Sequence, residues 1–219
     1  MIKRREFTAG TACLLGAAAL GMPSLVWAQK KPEDGSDYKT LDKRVAMEAP
    51  AGKIEVVEFF WYACPHCNAF EPQLEAWSKK LPADVVLRRV PVAFRDDFVP
   101  QQRLFYTLEA MDLLPRLHAK VYHAIHMERQ PVTRDDSILA WIEKQDVDRA
   151  RFQETYASPY VSSKVRQALQ LQEAYGVEGV PSMGIAGRWY TDGSMAGNMP
   201  RVLQVTDYLL AQARESARR

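Results

Sequence analysis

Cysteine is scarce in this chain, with three in 219 residues, at positions 13, 64 and 67. That scarcity excludes a scaffold stapled by a disulfide framework, and two or three thiols are an incomplete set for a structural zinc. Net charge is small too, with 29 Lys and Arg against 27 Asp and Glu. A balance this close argues against nucleic acid or an anionic membrane as the main partner. There is no internal repeat and no low-complexity segment, and long hydrophobic runs are missing apart from a short apolar stretch at the start.

That stretch runs from Phe7 to Leu20, after Lys3, Arg4 and Arg5 and before Pro23 and Val26-Trp27-Ala28. A positive start, a short apolar core and small residues at the cleavage positions make residues 1–28 a secretory signal peptide. The apolar run is short for a membrane-spanning helix, which argues against a retained anchor. Arg4-Arg5-Glu6-Phe7 resembles a twin-arginine export signal without all of its flanking pattern, so the export route stays open. Cys13 lacks the upstream leucine of a lipoprotein signal, Gly10 standing there instead, and it leaves with the leader. Cleavage after Ala28 takes 28 of the 219 residues and leaves 191, enough for one domain with an inserted subdomain. The leader carries three basic residues and one acidic, so the rest of the chain has 26 of each sign.

The mature part then opens with a polar leader to about Thr40, containing Pro32 and Gly35 and expected to be loose. Ile54 to Phe60 is rich in branched and aromatic residues and reads as a strand. Cys64 begins a helix, with Pro65 suited to its first position and Phe70, Leu74 and Trp77 at helical spacing. Val85 to Val92 is a second buried strand, completing a β-α-β unit with Cys64 at the helix start. From about Arg95 to Gly176 the pattern is helical. Leu114, Leu117, Val121 and Ile125 form one apolar stripe. Ile138, Leu139 and Ile142 form another after the capping candidates Thr133, Asp135 and Asp136. Asp148 caps a short helix, Val161, Val165, Ala168 and Leu169 mark a longer one, and Gly176 stops it. Two short strands, Ser182 to Ala186 and Arg188 to Thr191, turn through Gly187, and a last helix starts near Asn198 and Pro200.

The mature cysteines stand as Cys64-Pro65-His66-Cys67 in a chain bound for an oxidising compartment. A structural disulfide there closes a four-residue ring and gains only about 2 kcal/mol from chain entropy. A redox role explains the spacing better. Thiols three apart share one face of the first helical turn, the first exposed and the second shielded. Unpaired N–H groups and the positive end of the helix dipole stabilise a thiolate at Cys64, and a cationic His66 adds to this. A stabilised thiolate favours the reduced protein and makes the disulfide form a stronger oxidant, by about 30 mV for each pKa unit.

Phe59-Phe60-Trp61-Tyr62-Ala63-Cys64-Pro65-His66-Cys67 resembles the active-site segment of the DsbA family, bacterial periplasmic disulfide oxidases. Gly179-Val180-Pro181-Ser182-Met183 is similar to that family's cis-proline loop. The resemblance covers nearly all of the mature chain. It implies an α/β, thioredoxin-like fold over residues 29–94 and 177–219, with an inserted helical subdomain over 95–176. It implies a monomeric protein disulfide oxidase of the periplasm, with Cys64 as nucleophile, Cys67 as resolving partner and a cis Val180–Pro181 peptide. It also implies two kinds of partner: exported proteins, unfolded or partly folded, with free thiols, and a DsbB-type membrane quinone reductase that reoxidises the dithiol. No cofactor or resident metal is expected.

Glu58, an acid in an otherwise apolar strand, has two readings. It is either a buried carboxylate that relays protons to Cys67, as in the family, with Arg89 as its partner, or a solvated edge residue. Pro91 and Ala93 depart from the polar residues common in the related strand, which leaves the network around Glu58 open. Trp61 and Tyr62 either shape a rim for unfolded clients or simply pack. His118, His123 and His126 share a helical stretch, but no two are four apart, which disfavours a metal site. Competing functions are a reductase or isomerase of the same compartment, a CxxC carrier of copper or zinc, and a purely structural disulfide. Isomerases of this compartment usually add an N-terminal dimerisation domain, and the few mature residues before the first strand argue against one.

Overall fold

The structure, a computed structural model, describes residues 30–217. The expected signal peptide over residues 1–28, with Cys13, lies outside the described residues. The leader after it is tied down rather than loose. Thr40 donates from its backbone and its hydroxyl to the Asp34 carboxylate, and strand β1 (Lys39–Thr40) pairs with a later strand. Its polarity hid this, because a two-residue edge strand has too few side chains to show alternation.

Strand β2 (Ile54–Phe60) is buried along nearly its whole length and leads through Trp61-Tyr62-Ala63 into helix α1 (Pro65–Ser78). Strand β3 (Val85–Pro91) returns parallel to β2, in the register Ile54 opposite Val85 through Phe60 opposite Pro91. A 3-10 turn (Asp96–Phe98) then opens five helices: α2 (Val99–Ala110), α3 (Leu114–His126), α4 (Asp135–Ile142), α5 (Arg149–Tyr156) and α6 (Pro159–Tyr175). Strands β4 (Ser182–Ile185) and β5 (Trp189–Asp192), the short helix α7 (Gly193–Ala196) and helix α8 (Met199–Ala217) complete the described chain. The sheet order is β1-β5-β4-β2-β3, with β2 central and antiparallel to β4.

The sheet is covered on both faces. Val56, Phe70, Leu74, Met183, Val205 and Leu209 form the core under α1 and α8, while Val57 and Phe59 pack into the larger core of the helical block. Helix α2 is buried nearly all round, which is why its sequence shows no stripe. Asp148 and Gly176 cap as expected, Asp148 accepting from the Arg151 N–H at 3.0 Å and Gly176 adopting a left-handed φ of 60°. The start of α4 differs. Ser137, three residues inside the boundary, accepts from the Arg134 N–H at 3.1 Å, so Thr133 is not the cap. No helix among the described residues is long and apolar enough to cross a membrane.

Candidate active site: a dithiol at a helix start

Helix α1 starts where Pro65 takes its first position, fixed in φ and with no N–H to leave unpaired. Cys64 is the cap, in extended conformation (φ −78°, ψ 118°), and its Sγ accepts from the Cys67 N–H at 3.4 Å. A thiol in this position does what a serine or aspartate does at other helix starts, satisfying an orphan donor. The preceding turn is closed by the Cys64 N–H donating to the Trp61 carbonyl at 3.0 Å.

Both cysteines are free thiols in this structure. Cys64 has its pKa lowered to about 6, chiefly by the hydrogen bond from the Cys67 thiol, helped by the Cys67 and His66 N–H groups and the His66 charge, against the opposing cost of burial. Cys67 is shifted the other way. Burial raises it first, and the adjacent Cys64 and the Glu58 charge raise it further. The sequence placed Cys64 at the surface, but it is only 6% exposed, against 0% for Cys67. It is shielded partly by the Val180 carbonyl, to which its thiol donates at 3.5 Å.

The Val180–Pro181 peptide is cis. It borders a groove of about 390 Å³ whose walls include His66, Val180, Pro181, Ser194, Asn198 and Met199. His66 is exposed at its edge.

Beneath the dithiol lies a charged network. Glu58 is 0% exposed, so it is the buried carboxylate rather than an edge residue. Its Oε2 lies 3.2 Å from Arg89 Nε, a charge contact without an aligned hydrogen bond. Arg89 Nη2 also reaches Glu71 at 2.9 Å and Glu75 at 3.2 Å, both on α1. Burial, reinforced by the Glu71 charge and opposed by Arg89, pushes Glu58 up to about 8. A carboxyl with that pKa is mostly protonated at neutral pH, and its charge, when present, is felt at Cys67.

The aromatic residues before the motif separate. Tyr62 is core, buried against Phe60 and Phe105, with its hydroxyl 2.8 Å from His118 Nδ1. Trp61 is half-buried and stacks on Phe98 at 3.8 Å with the rings 4° from parallel, and Phe98 in turn meets Phe94, 40% exposed. The sequence reading missed Glu71, His118 and His126 as neighbours of the motif. A signal was present. Glu71 is four residues after Cys67, and His118, Tyr122 and His126 stand four apart along α3. No group of three or more metal-ligating side chains occurs among the described residues.

A dithiol split into an acidic and a shielded member, at a helix start on a thioredoxin-like fold with a helical insert, defines a thiol:disulfide oxidoreductase. Comparison with known proteins agrees. Residues 83–204 match the family model of the DSBA-like thioredoxin domain. The chain is 41% identical over 203 residues to the thiol:disulfide interchange protein DsbA of Bordetella pertussis, covering 92% of this chain and 96% of that protein. The crystal structure of Pseudomonas aeruginosa DsbA matches with a TM-score of 0.80 at 38% identity, over 84% of this chain and 96% of that one. That of the oxidoreductase DsbA from Xylella fastidiosa matches with a TM-score of 0.78 at 29% identity, over 84% and 98%. The chain belongs to the DsbA family of thiol:disulfide interchange proteins.

Proposed function

We propose that this protein is a periplasmic monomer that donates the Cys64–Cys67 disulfide to newly exported proteins with free thiols, and that a DsbB-type membrane quinone reductase reoxidises it. The thioredoxin-like part is residues 29–94 and 177–219, and the helical insert is 95–176. A client thiolate attacks Cys64 Sγ, and Cys67 leaves as a thiolate that takes up a proton. The second client thiolate then attacks the client sulfur of the mixed disulfide, and Cys64 leaves as a thiolate. The client loses two electrons to the Cys64–Cys67 disulfide, and the resulting dithiol passes them on when it is reoxidised.

Each site residue has a part in that sequence. Pro65 sets the helix start, and the N–H groups with His66 hold the leaving Cys64 thiolate. Glu58, mostly protonated at neutral pH, supplies the proton to Cys67. Val180 and Pro181 line the groove next to Cys64, where the Val180 backbone pairs with an extended client segment as an added strand.

The observation that carries the reading is the opposite shift of the two thiols, Cys64 down to about 6 and Cys67 up. Only the thiolate form of Cys64 is stabilised, so the dithiol state is favoured and the disulfide is driven onto clients. The test is the pH profile of Cys64 alkylation together with the equilibrium against glutathione. A midpoint near 6 with an oxidising equilibrium supports the donor. A midpoint near the ordinary thiol value of about 9.0, with a strongly reducing equilibrium, overturns it in favour of a reductase.

A further inference from the structure

We propose that one face of α3, made of His118, Tyr122 and His126, is a positioning clamp on the turn that presents Cys64, and that it favours the reduced, thiolate state. The inference rests on the disulfide-donor reading above and names what in the helical insert tunes it.

All three residues meet Tyr62. His126 Nε2 lies 2.8 Å from the Tyr62 carbonyl oxygen. A carbonyl only accepts, so Nε2 carries the hydrogen and donates. The Tyr62 hydroxyl lies 2.8 Å from His118 Nδ1. The Tyr122 ring packs edge-on against the Tyr62 ring, with centroids 5.2 Å apart. Tyr62 is thus held by its backbone, its hydroxyl and its ring, all from a single helix.

Tyr62 is also the second residue of the turn that the Cys64 N–H closes on Trp61, and that turn aims Cys64 Sγ at the Cys67 N–H. A hydrogen bond from an amide is roughly twice as strong to an anion as to a neutral acceptor. The aimed geometry is therefore worth more to the thiolate than to the neutral sulfur of the disulfide. Loosening the turn penalises the reduced state more than the oxidised one. Ordinary core packing makes a different prediction, because losing it weakens both redox states alike.

The experiment compares the unaltered protein with His126→Leu, His126→Gln and Tyr62→Phe. It measures the Cys64 alkylation midpoint, the glutathione equilibrium constant and the thermal stability of both redox forms. Loss of one such hydrogen bond in His126→Leu or Tyr62→Phe is expected to raise the midpoint and weaken oxidation of glutathione about three- to tenfold. His126→Gln keeps a side-chain N–H and is expected to recover most of the loss. Tyr62→Phe removes a single oxygen and keeps the test open should His126→Leu fail to fold. An unchanged midpoint and constant, or an equal loss of stability in both redox forms, overturns the clamp. Failure of the unaltered protein to oxidise reduced, unfolded ribonuclease sinks the donor reading alone, because the clamp is judged on the difference between variants.

Discussion

Glu58 and Arg89 are register partners on the parallel strands β2 and β3, and their side chains meet at 3.2 Å under the active-site helix. Parallel pairing puts both on one sheet face, with Arg88 and Glu55 on the other, so two acid–base pairs sit back to back across the sheet. The Glu58 pair differs in that α1 adds two more carboxylates, Glu71 and Glu75, to the same guanidinium. One cation shared among three acids leaves Glu58, the most buried of them, holding its proton.

Replacing the shielded thiol separates the two half-reactions. Reduced Cys67→Ser, mixed with a disulfide-bonded client, is expected to accumulate a mixed disulfide through Cys64, because no second thiol is present to resolve it. A mass shift that dithiothreitol reverses identifies the adduct. Cys64→Ser should form none, and equal adduct from both variants would contradict the roles given to the two cysteines.

The depressed Cys64 pKa makes the stability of the reduced form depend on pH. The folded value of about 6 lies below the ordinary 9.0, so between them the unfolded chain holds a proton that the folded one has lost. The contribution is full above about 9.0 and is lost as pH falls through about 6. From pH 5 to 8 the reduced form should therefore gain stability over the oxidised form, which has no thiol to titrate. At about 1.4 kcal/mol per unit the full effect is on the order of a few kcal/mol. Paired thermal melts of both forms across this range measure it, and a gap that stays constant would refute it.

Glu58 works in the opposite sense. Its folded value of about 8 lies above the ordinary 4.5, so its contribution is full below about 4.5 and is lost as pH rises through about 8. Glu58→Gln has no proton to lose and is expected to flatten the decline in stability between pH 5 and 8. Arg89→Met should act the other way, leaving buried acids without their cation at a cost of about 3 kcal/mol at neutral pH and above. Chemical denaturation of the three proteins at several pH values gives the slopes. Parallel slopes for Glu58→Gln and the unaltered protein would count against a buried, protonated carboxyl.

The close approach of β4 to α6 makes a prediction about stability alone. A Cβ added at Gly184 would collide with the Tyr175 ring, which is itself buried and packed edge-on against Phe59. Neither neighbour is a flexible chain end, so Gly184→Ala is expected to destabilise the protein by about 1–3 kcal/mol. Gly179, with nothing near its missing Cβ, tolerates the same change as far as space is concerned. Melting temperatures of the two variants provide the comparison.

Local chemistry made much of this protein legible before folding was considered. Cys64-Pro65-His66-Cys67 carries its own helix start, because Pro65 is well suited to a first helical position and a thiol before it can cap the free N–H groups. Strand β2 and the stop at Gly176 were readable for similar local reasons, a run of branched and aromatic residues and a position needing positive φ. Helix α2 was not readable as an amphipathic element, since burial on all sides erases the contrast that periodicity depends on. The acid under the dithiol was visible only as an oddity. Its burial, its shared cation and its high pKa arise from strand register and from carboxylates on α1, which no spacing within β2 encodes. The same holds for Tyr62, whose neighbours on α3 lie more than fifty residues away in the chain. Sequence alone determined which two thiols stand at a helix start, where a thiolate is stabilised within one helical turn. Only the tertiary structure decided what surrounds them, because shielding Cys67 and positioning the turn require groups that chain folding alone brings together.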